Sequence, residues 1–408
     1  MQADDYIDDI LNDERKIAKS GVRNIFTPHT PITKANYLKG RDKELSNLFS
    51  HLMTPGQHAL IYGERGIGKS SLAEIASLKL CEKMGLRRFI KRCSKSDNFV
   101  TIFEEPLMCQ NVDVKTISKG ESSKLSLNLG KVGASKDKSK SLLGDEHLAS
   151  NPSYVADIIA DVEGLLVIDE FDAIQDDDDK FKIAEVMKLL SDKKANFKIL
   201  IVGIAESAKE LTVGHPSVSR CLREIKVPRM KIPALSEILK TGFSALNFTP
   251  NRVIIPKIVI ASSGYPYFTH LLGLKISETL ILEDRTNITI NDLENATTKA
   301  IDDAEEFLRD MFEKSVDRFN REKYERFLLC ASACRAEGFT NAELRRKYHT
   351  MFNQEVSSSS ITSYLQKLSD DTGNKILRRT SRTYHRFSDP RMGSFVRIHK
   401  AYFPEVED

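Results

Sequence analysis

The 408-residue sequence predicts an α/β fold in which a parallel sheet carries helices on both faces, followed by a helical region and a smaller terminal domain. Three observations predict this class. Apolar runs typical of buried strands alternate with helical patterns up to about residue 228. Helical patterns then fill residues 229–318 almost without interruption. Three short helical patterns and an alternating, basic segment complete residues 321–408.

Composition is that of an ordinary globular chain, long enough for two or three domains. Hydrophobic residues make up 40% of the sequence and charged residues 29%, with a net charge of +3. This small net charge does not indicate nucleic-acid binding by itself, so a basic surface would have to be local. No apolar run approaches the roughly 18 residues of a membrane span, and the acidic start lacks the features of a signal peptide. We therefore expect a cytoplasmic chain without membrane contact.

The six cysteines are dispersed and form no CxxC pair. Cys330 and Cys334 lie one helical turn apart, a spacing that favours core packing over a zinc site, which would need two more ligands nearby. This use of cysteine fits a reducing compartment.

A glycine-rich loop follows the first apolar run, HALIY, and precedes a helical pattern. Its residues match the phosphate-binding motif GxxxxGK[ST] in full and are followed by Ser71; they are Gly63, Glu64, Arg65, Gly66, Ile67, Gly68, Lys69 and Ser70. Backbone N–H groups of such a P-loop wrap phosphates, helped by the positive end of the helix dipole. Lys69 would contact the β- and γ-phosphates of ATP, and Ser70 would bind Mg²⁺. We take Gly63–Ser71 as the candidate nucleotide-binding residues.

Two carboxylates follow a second buried run, LLVI. Asp169 and Glu170 would stand at the C-terminal end of a parallel strand, where α/β sheets place ligand chemistry. Asp169 is the candidate Mg²⁺ ligand, directly or through water, and Glu170 is the candidate base that polarises the attacking water. Asp172 would support this pair only indirectly. The run Asp176–Asp179 is predicted to be an acidic, solvated loop before the next helix.

Changes of pattern suggest the domain boundaries. Residues 1–40 form an N-terminal extension, and 41–228 form the α/β core. Residues 115–141, rich in Lys, Ser and Gly, are predicted to be an exposed, mobile insertion in this core. Residues 229–320 form the helical domain. In residues 321–408, three helices and a hairpin give the outline of a winged helix.

The segment Lys39–Leu45 resembles the GRxxEL box that opens origin-recognition-type AAA+ and STAND ATPases. Together with the Asp-Glu pair and the helical domain after the sheet, the chain resembles this AAA+/STAND branch of P-loop ATPases. In those relatives the box packs near adenine, which makes Pro31, Ile32, Leu38 and Gly40 candidates for a base pocket; ordinary packing at the domain edge is the alternative. The likeness implies a Mg²⁺-dependent ATPase whose helical domain is a lid over the nucleotide.

Three further segments carry the resemblance in part. After the strand ILIVG, the sensor-1 position of the family would be Glu206 or Ser207, neither of which settles the role. Arg220 resembles the arginine finger that reaches a neighbouring subunit, with Arg223 as second choice, although a solvated arginine is an equal alternative. Gly264 and Pro266 resemble the GxP motif of STAND lids, which replaces the sensor-2 arginine. His270 follows one turn later, where packing is favoured over phosphate contact.

Basic residues concentrate near the C-terminus. Residues 375–400 contain eight basic residues and one acidic residue, Asp389. The basic residues are Lys375, Arg378, Arg379, Arg382, Arg386, Arg391, Arg397 and Lys400. The predicted wing, with Arg378, Arg379 and Arg382, could grip the backbone of duplex DNA. The expected recognition helix, Ser358–Leu368, has only one basic residue, which favours backbone contact over sequence recognition. Docking of the arginines on an acidic protein surface is the alternative.

Three functions therefore remain open. The first is a nucleotide-dependent switch that forms homo-oligomers and acts through an effector or partner protein, as STAND relatives do in bacterial antiviral defence or mobile-element systems. The second is a DNA-remodelling ATPase, such as a transposition regulator, replication initiator or helicase loader. The third is a nucleotide-bound scaffold with little turnover, which Glu170 argues against.

Overall fold

The computed structural model describes residues 3–112, 149–204, 216–317, 320–335, 338–369, 375–381 and 383–403. The predicted insertion 115–141, the sensor-1 candidates Glu206 and Ser207, and Arg382 of the predicted wing lie outside the described residues.

Helices dominate the described chain. The helices are α1 (Ala3–Ser20), α2 (Val22–Ile25), α3 (Asp42–Leu52), α4 (Lys69–Met84), α5 (Phe99–Met108), α6 (Pro152–Ile159), α7 (Asp177–Asp192), α8 (Ile232–Ala245), α9 (Ile254–Ser262), α10 (Pro266–Leu282), α11 (Ile290–Asp302), α12 (Glu306–Val316), α13 (Arg321–Ser332), α14 (Asn341–Phe352), α15 (Ser358–Ser369) and α16 (Met392–His399). The strands are β1 (His58–Tyr62), β2 (Arg87–Arg92), β3 (Gly164–Asp169), β4 (Lys198–Gly203), β5 (Leu222–Lys226), β6 (Thr249–Pro250), β7 (Asn287–Ile288), β8 (Phe339–Thr340), β9 (Leu377–Ser381) and β10 (Tyr384–Phe387).

The chain divides into two compact units. The sheet unit comprises residues 41–64 and 69–228. The helical unit comprises residues 1–40, 65–68 and 229–408, so it includes the middle of the glycine loop.

A parallel sheet in the order β2-β3-β4-β1-β5 forms the sheet unit and confirms the predicted fold class. Strands β3 and β4 are buried along their whole length, as their apolar runs predict. On one face, alternate residues such as Leu60, Leu166 and Ile201 share a core with α5, α6 and α7. The opposite face packs against α3 and α4. Helices on both faces follow because parallel strands need crossover connections.

Two local features of this unit differ from the sequence-based expectation. Strand β2 has the sequence RRFIKR and a mostly exposed surface, so its apolar signal is weak; pairing with β3 gives it its place in the sheet. The acidic run is not a loop, because only Asp176 precedes α7. The Asp176 side chain caps that helix by accepting from the Asp178 N–H at 2.9 Å. Acidic residues in the first turn are favourable there, since they face the positive end of the helix dipole.

The helical unit is built around Phe26, which follows α2 and is 1% exposed. Its ring packs beside Phe243 of α8 and His270 of α10. A Cβ built on Gly242 would come within 2.3 Å of the ring, and one built on Gly273 within 2.6 Å. These two glycines therefore make room for an aromatic side chain that anchors the N-terminal segment.

The C-terminal part of the same unit consists of α13–α16 and a small antiparallel sheet in the order β8-β10-β9. The three predicted helices and the hairpin are present. Strand β8 was not expected, because two residues, Phe339 and Thr340, are too few to give a pattern. In the short α13, Cys330 is buried, and burial raises the pKa of its thiol to about 12 and that of Cys334 to about 11. Core packing accounts for both thiols.

His58 of β1 is a buried, neutral histidine. Its Nδ1 accepts from the Ile199 N–H at 3.0 Å, which leaves Nε2 to donate to the Met187 carbonyl at 3.0 Å. Burial, with a smaller contribution from Lys198, lowers its pKa to about 3. The protonated form would lose the hydrogen bond from Ile199 as well as its hydration.

We expect the free energy of unfolding of the sheet unit to fall as pH decreases below about 6.5, by up to about 1.4 kcal/mol per pH unit from this group. The unfolded chain binds a proton there while folded His58 does not until about pH 3, so the contribution is complete above pH 6.5. Urea unfolding of wild type and His58→Gln between pH 7.5 and 5 measures it. The variant should lose this part of the pH slope, whereas a control at the half-buried His51, His51→Gln, should keep it. Equal slopes in wild type and His58→Gln would contradict the assignment.

Candidate nucleotide site

The glycine loop joins β1 to α4, in the strand–loop–helix order that the motif requires. Gly66 and Gly68 have φ values of 74° and 88°, in the left-handed region that side chains avoid. Helix α4 begins at Lys69, and the first N–H groups of a helix have no partner within it. Loop and helix start therefore supply the backbone donors that bind an anion.

Lys69 is half-buried at the first position of α4. Its Nζ donates to the carbonyls of Gly63 at 3.1 Å and Glu64 at 2.8 Å. The ammonium is thus held within the loop by neutral carbonyl acceptors.

Ser70 and Asp169 are brought together from α4 and the end of β3. The Ser70 hydroxyl donates to Asp169 Oδ1 at 3.2 Å, and the same oxygen accepts from the Glu170 N–H at 2.9 Å. Asp169 is 8% exposed. A hydroxyl paired with a carboxylate offers the hard oxygen ligands that Mg²⁺ prefers, so these two residues fit the metal that the motif implies.

Glu170 is exposed, and its backbone has φ 56° and ψ 39°. A left-handed conformation is uncommon for a residue with a side chain and costs on the order of 1–3 kcal/mol. The strand ends at Asp169, and Glu170 begins the turn Phe171–Ala173. The conformation therefore places two consecutive acids differently, with Asp169 buried and Glu170 open to solvent.

The GxP turn of the helical unit lies against the middle of the glycine loop. Pro266 is the first residue of α10, and a Cβ built on Gly68 would lie 3.7 Å from its Cγ. The next N–H, of Tyr267, points to the Gly66 carbonyl at 3.5 Å. Gly264 has φ 87°, and its carbonyl accepts from the Met230 N–H at 2.9 Å.

Residues 59–229 match the family model for ATPases associated with various cellular activities, AAA. This match spans the glycine loop, the Asp169-Glu170 pair and all of the parallel sheet except the first residue of β1. Residues 59–229 form an AAA ATPase domain. The chain is therefore an ATPase that binds nucleotide.

Solved structures with a similar fold include the Walker-type ATPase PABY2304 of Pyrococcus abyssi, at 17% identity and a TM-score of 0.49, covering 91% of this chain and 99% of that one. The Aeropyrum pernix ORC1 protein, solved in complex with DNA, aligns at 14% identity and a TM-score of 0.46, covering 93% and 97%. The Thermotoga maritima RuvB Holliday junction branch migration motor aligns at 15% and 0.43, covering 92% and 98%. Likenesses at this level do not bear on what the present ATPase binds or assembles with. Comparison with curated proteins gives no match.

The predicted base-pocket residues of this ATPase belong to the helical unit. Ile32 is 8% exposed, while Pro31 and Leu38 are half-buried. Gly40 has φ 60° and lies so close to α8 that a Cβ there would come within 2.3 Å of the Ala234 Cβ. Packing at the domain edge thus explains Gly40, whereas a role in binding the base stays a prediction for all four.

The two arginine-finger candidates of the AAA domain are both exposed. Arg220 ends the short helical turn before β5, where its carbonyl accepts from the Gln57 side chain at 3.0 Å. Arg223 lies on β5. His270, in the helical unit, is buried, and its Nδ1 accepts from the Thr27 N–H at 3.2 Å. Burial lowers its pKa to about 4, which agrees with the packing role.

The basic C-terminal segment is less basic at its surface than its sequence suggests. Arg391 is 2% exposed and paired with Asp389 and Glu305. Arg397 donates to the carbonyls of Ser332 and Ile260, and burial lowers its pKa to about 10. The guanidiniums of Arg391 and Arg397 are engaged inside the fold, so neither belongs to the predicted DNA-binding surface.

Of the three arginines that the sequence assigns to a predicted wing, Arg379 is exposed and Arg378 is half-buried, both on β9. The predicted recognition helix is α15, whose exposed side chains include Ser359, Gln366 and Lys367. Among the described residues no helix is long and apolar enough to cross a membrane.

Sequence reasoning missed the two acids that hold Arg391, the buried Asp389 and the exposed Glu305. Glu305 and Asp389 gave no signal, because isolated acids in helical or turn segments are common on surfaces. Only the positions of Arg391 and Tyr267 around Gly66 single them out.

Gly264→Ala should destabilise the helical unit by at least about 2 kcal/mol, because the methyl group would combine a left-handed backbone with a clash. A Cβ there lies 2.8 Å from the Arg229 Cβ and 3.2 Å from the Met230 carbonyl. Gly21 is the matched control, since its φ is 72° and a Cβ would meet nothing within 4 Å. Chemical unfolding of Gly264→Ala and Gly21→Ala separates the two costs. Equal losses of unfolding free energy in the two variants would show that the clash at Gly264 costs nothing beyond the left-handed backbone conformation.

Proposed function

We propose that this ATPase is an AAA+/STAND-type molecular switch, in which residues 229–320 act as a lid and residues 321–408 as a winged helix attached to the core of residues 41–228. Binding and hydrolysis of ATP would change its assembly and its contacts with a partner. The observation that carries the proposal is the seating of Pro266 and Tyr267 on Gly66 and Gly68. A lid turn at this place can respond to the occupancy of the loop.

The chemistry follows from the residues around the loop. Backbone N–H groups of Gly63–Ser71 would hold the phosphates, and Lys69 would donate to the β- and γ-phosphates. Ser70 and Asp169 would hold Mg²⁺, which neutralises phosphate charge when bound. Glu170 would accept a proton from water, and its exposed carboxylate leaves room for that water.

Assembly would complete the site. We propose that the ATPase forms homo-oligomers in which Arg220 reaches the nucleotide of a neighbouring subunit. Its exposure at the end of a short turn supports this role, because the guanidinium is free of the core. An effector or partner protein would provide the output, in bacterial antiviral defence or a mobile-element system, and this part of the proposal rests on the resemblance to STAND proteins alone.

A second candidate function, a DNA-remodelling ATPase, is favoured by the wing. Arg378 and Arg379 lie on β9, where Arg379 is exposed and Arg378 half-buried, and the exposed side chains of α15 are polar with one charged residue, Lys367. Such a surface would grip phosphates without recognising bases. Transposition regulation, replication initiation or helicase loading are the processes that this chemistry suits.

The first experiment separates binding from hydrolysis. Lys69→Ala should weaken Mg-ATP binding roughly 100-fold, since charge-assisted hydrogen bonds to phosphate are lost. Glu170→Gln should bind ATP normally but hydrolyse it about 10²–10⁴-fold more slowly. Arg220→Ala should bind ATP and lose only the hydrolysis that depends on assembly. Calorimetry, phosphate release and particle mass provide the measurements.

Lys79→Ala is the matched control, because Lys79 lies on the same helix and is exposed, in an ion pair with Glu82. It should behave as wild type. Normal ATP binding by Lys69→Ala would overturn the proposed site.

The wing is tested with duplex DNA by fluorescence anisotropy at 50–200 mM salt. Arg378→Ala/Arg379→Ala should reduce the salt dependence of binding by about two phosphate contacts, whatever the DNA sequence. Lys240→Ala/Lys314→Ala removes the same charge from exposed positions on α8 and α12 and should leave that slope unchanged. If wild type does not bind DNA, the switch that docks on a protein is the better proposal.

A further inference from the structure

Arg391 links the C-terminal region to the glycine loop within the helical unit. It stands one residue before α16 and is 2% exposed. A Cβ built on Gly66 would lie 3.0 Å from its Cδ and 3.7 Å from its Cγ. The aliphatic part of an arginine from the terminal region therefore packs on the backbone of the phosphate-binding loop.

The guanidinium of Arg391 is held by two carboxylates. Asp389 makes a bidentate pair with it, at 3.1 Å to Nε and 2.8 Å to Nη2. Glu305, on the connection before α12, accepts from Nη1. Although burial opposes the charge, Asp389 and Glu305 keep the pKa of Arg391 above its ordinary range, so it stays charged.

The two acids differ in how tightly they are held. Asp389 is 9% exposed and also accepts from the Arg391 N–H at 2.8 Å, so it belongs to the turn itself. The Glu305 side chain is 43% exposed and can turn to solvent. With one guanidinium and two carboxylates, the cluster carries a formal charge of −1 beside a loop whose backbone donors bind anions. A bound polyphosphate and this net negative charge repel each other, and release of Glu305 would relieve the repulsion.

Tyr267 connects the same cluster to the GxP turn. Its N–H points to the Gly66 carbonyl, and its hydroxyl lies near Glu305. Burial and the neighbouring Glu305 raise the pKa of this hydroxyl to about 12. The loop, the start of α10, the connection to α12 and the turn before α16 therefore share one polar cluster.

We propose that Arg391 is a nucleotide-sensing residue: when phosphate charge occupies the glycine loop, its guanidinium exchanges Glu305 for the nucleotide and so transmits the presence of nucleotide to the C-terminal region. This inference rests on the proposed function, since it requires nucleotide at the loop. A third phosphate adds charge, so ATP should drive the exchange more strongly than ADP. The alternative is an ion pair that only holds α16 in place.

The test compares ATP and ADP affinities and amide hydrogen exchange of residues 377–399 in full-length protein. Glu305→Gln removes the competing charge while keeping the shape, so it should raise the preference for ATP over ADP by roughly 5-fold or more. Arg391→Lys loses the bidentate geometry and should lower that preference by a similar factor. In wild type, ATP should change exchange of residues 377–399 more than ADP does, and Arg391→Lys should abolish this difference.

Asp310→Asn is the matched control, because Asp310 pairs with Lys314 on the same unit and is 54% exposed. It should leave both measurements unchanged. If Arg391→Lys fails to fold, the result for Glu305→Gln decides the test. The Glu305 carboxylate is partly exposed, so its replacement should not prevent folding. An unchanged ATP-to-ADP ratio in Glu305→Gln would show a purely structural ion pair and overturn the inference. Failure of wild type to bind nucleotide would instead overturn the proposed function itself.

Discussion

The anion-binding turn between β1 and α4 constrains both its own backbone conformation and the segments that pack on it. Backbone N–H groups can converge on a phosphate only if the turn uses left-handed positions, as Gly66 and Gly68 do. Absence of side chains there has a second consequence, because it lets other segments approach the backbone. Pro266 packs near Gly68 and Arg391 near Gly66. The glycines that let the backbone bind phosphate therefore also let Pro266 and Arg391 pack close to the loop.

Two arginines of the basic C-terminal segment are used inside the fold. Arg397 donates to main-chain carbonyls of α9 and α13, and Arg391 is paired with two acids. Buried charges contribute little net stability once desolvation is counted, but breaking such a pair is costly. Buried ion pairs are therefore suited to fix one arrangement of the chain, or to exchange partners between two arrangements. A count of basic residues along the sequence cannot tell this use from a nucleic-acid surface.

The sequence was sufficient for features with a strong local signature. A full phosphate-binding motif between an apolar run and a helical pattern predicted the β1–loop–α4 unit, and LLVI predicted the buried strand that ends at Asp169. The sequence was insufficient where tertiary contacts determine the local structure. Strand β2 is held by pairing rather than by apolar residues, and Asp177 begins a helix because Asp176 caps it. Glu305 and Arg391 are 86 residues apart, and no local pattern joins them.

The proposed switch depends on the segments that pack on the glycine loop. Lys69, Ser70 and Asp169 belong to the sheet unit, whereas Arg65–Gly68 belong to the helical unit with the GxP turn and Arg391. Phosphate held by the backbone of Gly66 and Gly68 would act on the segments that pack there, Pro266 of the proposed lid and Arg391 of the C-terminal region. A distant relay is not needed, since the loop is itself part of the responding unit. In the proposed switch, regulation would lie in a few contacts on two glycines, and the added charge of one phosphate would select between two partners of the Arg391 guanidinium.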